Sequence, residues 1–373
     1  MAYIWQSDLW DIFSWDMNSL HDLLKRYEMQ KAKTDSIFEL VAPETRKTMQ
    51  LDFLSNSVVS NGKIEGVNIS YDSVYSSVAN ALNIELGKMQ KKDAESENNA
   101  RISISILNGN YDLSENTIFI WHELLFSATP NAKKPKHIGE YRSEPIYIVN
   151  FKNSFKEDVL YEGLPANQIS QSMFHLFSWI NQKKDLPLII KSAIASFWFL
   201  SVHPFEDGNG RLSRFLSDAI LQQGESFKYF TMTSAIERNK EQYYLMLQRF
   251  QNSSDMDITE YVAWYIELAL EELKLIEATC IKKIKLSAFI FSLDASEYNS
   301  REITMLYKLA SGSFYGKLTA EKWSKINKCK SATATRDLSH LVEKGMLVRS
   351  EEGGRAVWYA LSPNLDLSKN ALD

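Results

Sequence analysis

The stretch that decides the fold is HPFEDGNGRLSR, residues 203–214. An apolar run with helical spacing, Leu188–Leu200, precedes it, and Pro204 ends that helix. A second amphipathic helix pattern, Leu212–Leu221, follows it, and Asn209 is placed to cap this helix. The stretch therefore predicts a loop that joins two helices, with a glycine on each side of the capping residue.

The residues of this loop are suited to holding an anion. Gly208 and Gly210 flank Asn209 and leave backbone N–H groups bare at a helix N-terminus, where anions bind. Arg211 and Arg214 lie on one face of the first turn, although cations there oppose the helix dipole by about 0.3–1 kcal/mol each. A bound polyanion removes that conflict, so the loop predicts a site for nucleotide phosphates.

Two further side chains add chemistry to the anion site. Asp207 supplies a carboxylate beside the phosphate position, and Mg²⁺ is usually held by one or two carboxylates together with phosphate oxygens. His203 accepts a proton near neutral pH. A base, a metal ligand, backbone donors and two guanidinium groups together indicate phosphoryl or nucleotidyl transfer.

The loop resembles the signature of the Fic family, H-x-F-x-[D/E]-G-N-G-R-x-x-R, at every defined position. Residues 139–142 (GEYR) resemble the family's G-x-[FY]-R segment. Strand-like segments at 145–150 and 159–162 predict a β-hairpin where the family has a target-positioning flap. The N-terminal residues 3–6 (YIWQ) and 15–16 (WD) resemble an uncharacterised domain that precedes some bacterial Fic domains.

The resemblance and the helical spacing predict a mainly α fold. It consists of a Fic-type helical bundle with a small β-hairpin flap, an N-terminal helical domain and a C-terminal winged helix. We expect the N-terminal domain over residues 1–95, the Fic domain over 96–255, a helical connector over 256–300 and the winged helix over 301–373. The polar run Lys91–Asn99 predicts a loop between the first two domains.

Fic enzymes typically transfer AMP from ATP to a Ser, Thr or Tyr hydroxyl of a protein. The resemblance implies this nucleotidyltransferase activity, with His203 as general base, Asp207 as the metal ligand, and ATP and Mg²⁺ as substrate and cofactor. It implies a nucleotide site in the loop, the flap edge and a base-binding region: Asp207, Gly208, Asn209, Gly210, Arg211, Leu212, Ser213, Arg214, Ile146, Tyr147, Ile148, Val149, Tyr243, Tyr244, Leu247 and Gln251.

A second resemblance concerns regulation. Residues 60–66 (SNGKIEG) resemble the family's inhibitory motif [S/T]-x-x-x-E-[G/N], on a helix expected at about 50–66. The resemblance implies that Glu65 pairs with Arg214 and neutralises the γ-phosphate site. Asn61 stands where the family has Ser or Thr. A glutamate before a glycine helix stop is also a common pattern, and Glu65 is a candidate for activating water in the reverse reaction, de-AMPylation.

The C-terminal segment supports an alternative function. Residues 301–360 hold 11 Lys and Arg against 6 Asp and Glu, whereas the whole chain has a net charge of −5. Three helix patterns, a strand, the turn EEGGR at 351–355 and a second strand follow winged-helix order. The alternative is a DNA-binding regulator with a nucleotide-sensing Fic domain, which contacts DNA through Lys322, Lys325, Lys328, Lys330 and Arg336. Winged helices also dock proteins or dimerise, and that use stays open.

The composition excludes several other classes of protein. The 45% hydrophobic content excludes a disordered chain, and two cysteines exclude a disulfide scaffold and a four-thiolate zinc site. The most apolar stretch, Leu186–Val202, is too short to span a bilayer and is interrupted by Lys191. No signal-peptide pattern is present, so we expect a cytoplasmic protein with no membrane partner.

The expected partners are a target protein that presents a hydroxyl-bearing strand to the flap, the chain itself as a target, a second copy in a homodimer, and DNA. Some Fic relatives transfer UMP, phosphate or phosphocholine instead of AMP. Relatives that bind the nucleotide in reverse orientation tend to depart from the loop motif. The intact Gly210, Arg211 and Arg214 therefore favour AMP transfer.

Overall fold

The computed structural model describes residues 3–86, 93–130, 134–153, 156–225, 229–314, 316–351 and 357–365. Contacts divide the chain into two compact units. The first is made of Met1–Lys33 and Gln50–Lys274, and the second of Thr34–Met49 and Leu275–Asp373. The four-domain division expected from the sequence stays a prediction.

The fold is mainly α, as the sequence predicts. The helices are α1 (Met17–Leu40), α2 (Pro43–Ile64), α3 (Tyr71–Ala81), α4 (Ala94–Asn108), α5 (Glu115–Ser127), α6 (Ile169–Gln182), α7 (Leu188–Val202), α8 (Asn209–Leu221), α9 (Met232–Arg238), α10 (Lys240–Gln251), α11 (Thr259–Phe291), α12 (Ser300–Ser311), α13 (Ala320–Ile326) and α14 (Ser331–Glu343). The strands are β1 (Tyr147–Asn153), β2 (Lys156–Glu162), β3 (Leu347–Arg349) and β4 (Tyr359–Leu361).

Helix α7 forms the centre of the first unit. Every residue from Ile189 to Val202 is buried, because the helix is apolar on all its faces and other elements cover each of them. Small side chains allow α8 to pack closely beside it: Ser196 and Ser213 share a hydrogen bond of 2.8 Å. This pair of helices places both ends of the 203–208 loop on a rigid base. Within the described residues, no helix is long and apolar enough for a membrane crossing.

The structure corrects the loop predicted at Lys91–Asn99. Residues 94–99 form the first turns of α4, and residues 91–92 lie outside the described part of the chain. Asp93 caps the helix by accepting a hydrogen bond from the Ser96 N–H at 2.9 Å. Glu95 and Glu97 stand in its first turn, where acidic side chains favour the helix dipole. The polar residues that suggest a loop therefore form the N-terminal turns of a helix.

Two antiparallel hairpins complete the described structure. Strands β1 and β2 pair with Tyr147 opposite Glu162, and a register shift follows Ile148. In the second unit β3 and β4 pair, and an isolated bridge joins Leu318 to Tyr359. The order α12, α13, α14, β3, β4 is the order that the sequence predicts for the C-terminal segment. Most of the predicted glycine turn, residues 352–355, lies outside the described residues.

Candidate active site

The loop between α7 and α8 is framed by two residues in the left-handed backbone region. His203 ends α7 with a φ of 52°, and Gly208 precedes α8 with a φ of 85°. A Cβ at Gly208 would also lie 2.9 Å from the ring of Phe126, so glycine is required there on both grounds. His203 is a non-glycine residue held in this region, which is unfavourable and is typical of functional sites.

Asn209 does not cap α8, which corrects the sequence interpretation. It is the first helical residue, and Gly208 takes the capping position. The Asn209 amide accepts a hydrogen bond from the Phe205 N–H at 3.0 Å and donates one to the Phe205 carbonyl at 2.8 Å. Because the residue is 2% exposed, its side chain closes the loop from within. A phosphate contact by Asn209 is therefore left to its backbone N–H.

His203 lies in the wall of a cavity with its imidazole oriented by the backbone. Its Nδ1 is 3.3 Å from the Leu200 carbonyl oxygen. Since a carbonyl only accepts, Nδ1 carries the proton and Nε2 keeps its lone pair. Burial lowers the pKa of His203 to about 4, so the ring is neutral at pH 7. The unprotonated Nε2 of the imidazole is therefore able to accept a proton from a hydroxyl group.

Arg142 joins the loop between α7 and α8 to the base of the β1–β2 hairpin. Its Nε donates to the His203 carbonyl at 2.8 Å, and its Nη1 donates to the Glu144 carbonyl at 2.8 Å. Nη2 donates to the Leu164 carbonyl at 2.6 Å. Burial lowers the pKa of Arg142 to about 10, which leaves it charged at pH 7. One guanidinium therefore fixes the start of the hairpin, its end and the residue predicted to be the base.

Replacing Arg142 with Lys is expected to lower the free energy of unfolding by about 2–4 kcal/mol. An ammonium cannot reproduce the planar set of donors, and each lost hydrogen bond from a charged group contributes about 1.5–3 kcal/mol. Denaturant unfolding measures the difference. The matched control is Arg249→Lys, because Arg249 is exposed and forms its ion pair with Glu260 at the surface. We expect the control to change stability by about 1 kcal/mol or less. Equal losses for both variants would contradict the structural role of Arg142.

His122 is a site residue that sequence reasoning misses. Its Nδ1 accepts from the Gly139 N–H at 3.0 Å, and its Nε2 donates to the Asp207 carbonyl at 3.2 Å. Its ring stacks on Phe205 with centroids 4.1 Å apart. Burial lowers the pKa of His122 to about 4, so the neutral tautomer that makes both hydrogen bonds persists at pH 7. No second histidine at a ligand spacing marks this residue in the sequence.

A cavity of about 790 Å³ opens beside the loop. Many of the residues predicted for the site lie in its wall: Glu65, Ile148, Val149, His203, Asp207, Gly208, Asn209, Gly210, Arg214, Tyr243, Tyr244, Leu247 and Gln251. Its wall also contains residues that the sequence analysis does not predict: Leu160, Tyr161, Leu200, Glu206, Glu241, Leu245 and Gln248. The predicted catalytic, phosphate-binding, hairpin and inhibitory residues therefore meet in one place.

Five predicted residues do not line this cavity: Ile146, Tyr147, Arg211, Leu212 and Ser213. Leu212 and Ser213 are on the face of α8 that packs into the core, and both are fully buried. The guanidinium of Arg211 lies 5.0 Å from the centre of the Phe126 ring, and its Nη2 is 3.5 Å from Asp207. Tyr147 is 52% exposed on the hairpin.

Arg214 is held by two residues from the end of α2. Its Nη2 donates to the Glu65 carboxylate at 2.6 Å, and its Nε donates to the Asn61 side-chain oxygen at 2.6 Å. Asn61 also donates from its amide nitrogen to the Arg211 carbonyl at 3.3 Å. Asn61 thus bridges α2 and α8 at the position where the resembling motif has Ser or Thr.

The Glu65 carboxylate lies at the start of α8. A Cβ placed on Gly210 would collide with a Glu65 carboxylate oxygen, so the carboxylate lies directly against the first turn. Burial alone would raise the pKa of Glu65, but the charge and hydrogen bond of Arg214 hold it below its usual value. The pKa of Arg214 is raised by the same pair, although burial opposes this. The pair is therefore ionised at pH 7.

The C-terminal end of α2 is fastened to α9 and α10. The Ile64 carbonyl accepts hydrogen bonds from the Lys240 ammonium and, at 3.4 Å, from the Tyr244 hydroxyl. Lys63 forms an ion pair of 2.6 Å with Glu237. Gly66 then ends the helix with a φ of 72°. The glycine helix stop and the pairing of Glu65 with Arg214 are thus both present.

Two family models match the chain. A model of the Fic/DOC family matches residues 112–221, and a model described as a domain of unknown function (DUF4172) matches residues 3–84. The second match agrees with the N-terminal resemblance found in the sequence. The first contains α5 to α8 and therefore the loop, His122 and Arg142.

Curated relatives match the chain over part of its length. "Probable protein adenylyltransferase aq_aa38" of Aquifex aeolicus (strain VF5) is 30% identical over 79 residues, which are 21% of this chain and 23% of that protein. "Protein adenylyltransferase fic-1" of Caenorhabditis briggsae is 24% identical over 139 residues, which are 37% of this chain and 25% of that protein. The chain thus matches about a quarter of the length of these relatives.

A solved structure matches nearly the whole chain. The crystal structure of a Fic family protein from Desulfovibrio desulfuricans G20 has a TM-score of 0.54 and 17% identity, and the match covers 92% of this chain and 96% of that one. This likeness shows the fold. The Fic/DOC family model covers residues 112–221, which contain the complete loop signature.

Proposed function

We propose that the chain is a protein adenylyltransferase that transfers AMP from ATP to a Ser, Thr or Tyr hydroxyl and is inhibited by its own Glu65. The observation that carries this proposal is the cavity in which His203, Asp207 and Arg214 meet, with Glu65 bound to Arg214. The names of the curated relatives support the reaction type. Intact-mass measurement after incubation with Mg-ATP tests it, because AMP and phosphate, both of which ATP can donate, add different masses.

The proposed chemistry is a displacement at the α-phosphorus of ATP. His203 Nε2 takes the proton of the target hydroxyl while its oxygen forms a bond to the α-phosphorus. The bond from that phosphorus to the bridging oxygen of pyrophosphate breaks, and pyrophosphate leaves with the electron pair. His203 remains as the imidazolium until it releases its proton. The hydrogen bond from Nδ1 to the Leu200 carbonyl favours the tautomer in which Nε2 is free to accept the proton.

The phosphates of ATP fit the start of α8. The first turn of α8 at Gly210 and the guanidinium of Arg214 are next to the Glu65 carboxylate, where an anion is favoured. Arg211 lies next to Asp207 and contributes positive charge to the same turn. A carboxylate bound at this position behaves as an internal substitute for the γ-phosphate. While it is bound, ATP is prevented from taking the productive position.

Asp207 suits a magnesium ion that is bound mainly through ATP. Its side chain is 61% exposed beside the cavity. One of its oxygens, Oδ1, accepts from the Gly208 N–H at 2.5 Å, which leaves the other available. Among the described residues, no cluster of three or more His, Cys, Asp or Glu is placed to hold a metal, and magnesium with phosphate oxygens needs only one such carboxylate. The bound ion would neutralise charge on the α- and β-phosphates.

The adenine base is assigned to the part of the cavity formed by α10. Tyr243, Tyr244, Leu247 and Gln251 stand at helical intervals along its wall and combine apolar surface with polar groups. Burial raises the pKa of Tyr243 to about 12, so its hydroxyl stays protonated. A target segment is assigned to the β1–β2 hairpin, where it adds as a further strand and positions its hydroxyl near His203.

De-AMPylation is a further role that we assign to Glu65 as an open alternative to pure inhibition. Its carboxylate lies in the same cavity as His203 and is ionised, so it is able to orient or deprotonate water. The two roles differ in outcome. If Glu65 only inhibits, a modified target keeps its AMP after ATP is removed. If Glu65 also supports hydrolysis, the wild-type chain removes the AMP from the target and a variant without Glu65 does not.

The second candidate function is DNA binding by the C-terminal unit. One observation favours it: the five predicted contact residues, Lys322, Lys325, Lys328, Lys330 and Arg336, are all exposed on or beside α13 and α14. The candidate regulator would then use the Fic domain to sense nucleotide rather than to transfer it.

Mobility of duplex DNA with the full chain at low salt tests this candidate. We expect retardation that weakens steeply with salt, because binding through about five cations releases a similar number of counterions. Replacing the five residues with Ala should abolish the shift. Lys183→Ala with Lys184→Ala is the control, since these two lysines are exposed on the first unit. Absence of retardation on mixed-sequence duplexes at low salt would reject the candidate.

A further inference from the structure

The first residues of the chain pack on the Fic domain as a segment of turns and one short helix, which we call the N-terminal brace, Tyr3–Asp16. It belongs to the part matched by the domain of unknown function. A short 3-10 helix, Ile4–Gln6, begins it, and Ile4 is fully buried. Further along, Trp10 and Phe13 pack against the core around α7. The brace is therefore part of the packed unit that contains the active site.

One end of the brace holds the last residues of β2. The Trp5 indole N–H donates to the Glu162 carbonyl at 2.8 Å. The Tyr3 ring meets the Tyr161 ring edge to face, with centroids 5.3 Å apart. Tyr161 in turn donates from its hydroxyl to the Ser201 carbonyl at 2.7 Å, two residues before His203. A short chain of contacts thus connects the brace, the hairpin and the residue proposed as the base.

The other end of the brace is fixed to α6 and to the start of α11. Asp11 is 2.9 Å from Nδ1 of His175. Ser14 exchanges backbone hydrogen bonds of 2.9 Å with Met256 and Ile258. The Asp16 N–H donates to the Thr259 hydroxyl at 2.8 Å. Since both ends are anchored, the position of Trp5 is set by the domain as a whole.

Strand β2 has a second anchor on the same side. The Asn252 amide, which follows α10, donates to the Leu160 carbonyl at 3.0 Å. Groups outside the hairpin therefore occupy the carbonyls of both Leu160 and Glu162. A peptide strand that added along this edge of β2 would have to displace them. The hairpin is left to receive a further strand along β1.

We propose that the N-terminal brace positions the hairpin for target docking, and that Trp5 is the positioning residue that sets the edge of β2 and so presents β1 to the target. Its role in docking rests on the proposed adenylyltransferase function. Its role in holding the hairpin does not, because that part depends only on the contacts of Trp5 and Tyr3.

Trp5→Phe and Trp10→Phe form a matched pair for the test. Both replacements keep an aromatic ring in the brace. The Trp5 indole N–H donates to Glu162, whereas the buried indole N–H of Trp10 has no hydrogen-bond partner within the described residues. Only Trp5→Phe therefore removes a hydrogen bond. Tyr3→Leu is a second variant, which keeps the Trp5 indole N–H and removes the ring contacts of Tyr3 with Tyr161 and Trp5.

Amide hydrogen exchange of the full chain, measured by mass spectrometry over residues 156–164, is the first readout. We expect exchange there to be about fivefold faster in Trp5→Phe, the effect of one lost hydrogen bond, and unchanged in Trp10→Phe. Exchange in α7 and α8 should stay as in wild type. Equal exchange at 156–164 in both variants, or faster exchange throughout the domain, would overturn the proposal.

The second readout separates the brace from the proposed reaction. In a Glu65→Gly background, Trp5→Phe should slow transfer of AMP to protein about fivefold, while the affinity for Mg-ATP by calorimetry stays the same. Unslowed transfer together with faster exchange would overturn the docking role. A chain that transfers no AMP in any variant would contradict the proposed function instead, and the exchange result would still decide whether Trp5 holds the hairpin.

Discussion

Replacing Glu65 with Gly is expected to increase the rate of AMP transfer by about 5- to 150-fold, the usual range of coupling between two sites. The variant removes the carboxylate that binds Arg214 at 2.6 Å and lies against Gly210. The γ-phosphate of ATP then finds the guanidinium and the start of α8 free. The rate is measured from the intact mass of the protein after incubation with Mg-ATP.

The control for this prediction is Glu65→Gln, which keeps the size of the side chain and removes its charge. It should activate less than Glu65→Gly, because an amide oxygen still accepts a hydrogen bond from Arg214 but attracts it more weakly.

Thermal unfolding gives an independent check. Without nucleotide, Glu65→Gly should be less stable than wild type, since it leaves a buried charge with fewer partners. Mg-ATP should stabilise it more than it stabilises wild type. Equal transfer rates and equal stabilisation in all three proteins would contradict inhibition by Glu65.

Replacing His203 with Ala is the second change with a large expected effect. In the Glu65→Gly background it should lower transfer by about 10²- to 10⁴-fold, the usual contribution of general acid–base catalysis. The affinity for Mg-ATP should change little, because the phosphate-binding backbone and Arg214 remain. The combination of retained binding and lost transfer distinguishes a base from a residue that only shapes the loop.

His21→Ala serves as the control for His203→Ala, since His21 is exposed on α1. We expect it to transfer AMP at the parent rate. A second comparison uses folding: His203→Ala should unfold at a similar denaturant concentration, because within the described residues the side chain makes a single, long hydrogen bond, to Leu200. Undiminished transfer in His203→Ala would remove this residue from the mechanism.

The fold was largely predictable from the sequence because its decisive features are local. The apolar character of Leu188–Leu200 and the glycine-rich loop after it indicate two helices joined by an anion-binding turn. The structure confirms the two helices, which are α7 and α8, and anion binding by the turn stays a prediction. The error at Lys91–Asn99 arose because a run of acidic and amide residues has the composition of a loop. The hydrogen bond from the Ser96 N–H to the Asp93 carboxylate, which the structure shows, marks this segment as the start of a helix.

The candidate site was predictable only where its residues stand close together in the sequence at characteristic intervals. His203, Asp207 and Arg214 follow from a single stretch, and the cavity contains them. The role of Asn209 inside the loop could not be derived, because capping and loop closure use the same residue type. Arg142 and His122 act through hydrogen bonds to distant backbone groups, such as the His203 carbonyl and the Gly139 N–H. Contacts of this kind leave no periodic pattern in a sequence.

The attachment of Glu65 to the end of α2 has a consequence for how the proposed enzyme would respond to its surroundings. Because the inhibitor is covalently part of the chain, its local concentration at Arg214 is set by the geometry of the helix and does not fall when the protein is diluted. Dilution therefore cannot relieve the inhibition, but nucleotide can compete with it. If Glu65 inhibits as proposed, transfer of AMP would rise gradually with the ATP concentration as ATP competes with Glu65 for Arg214.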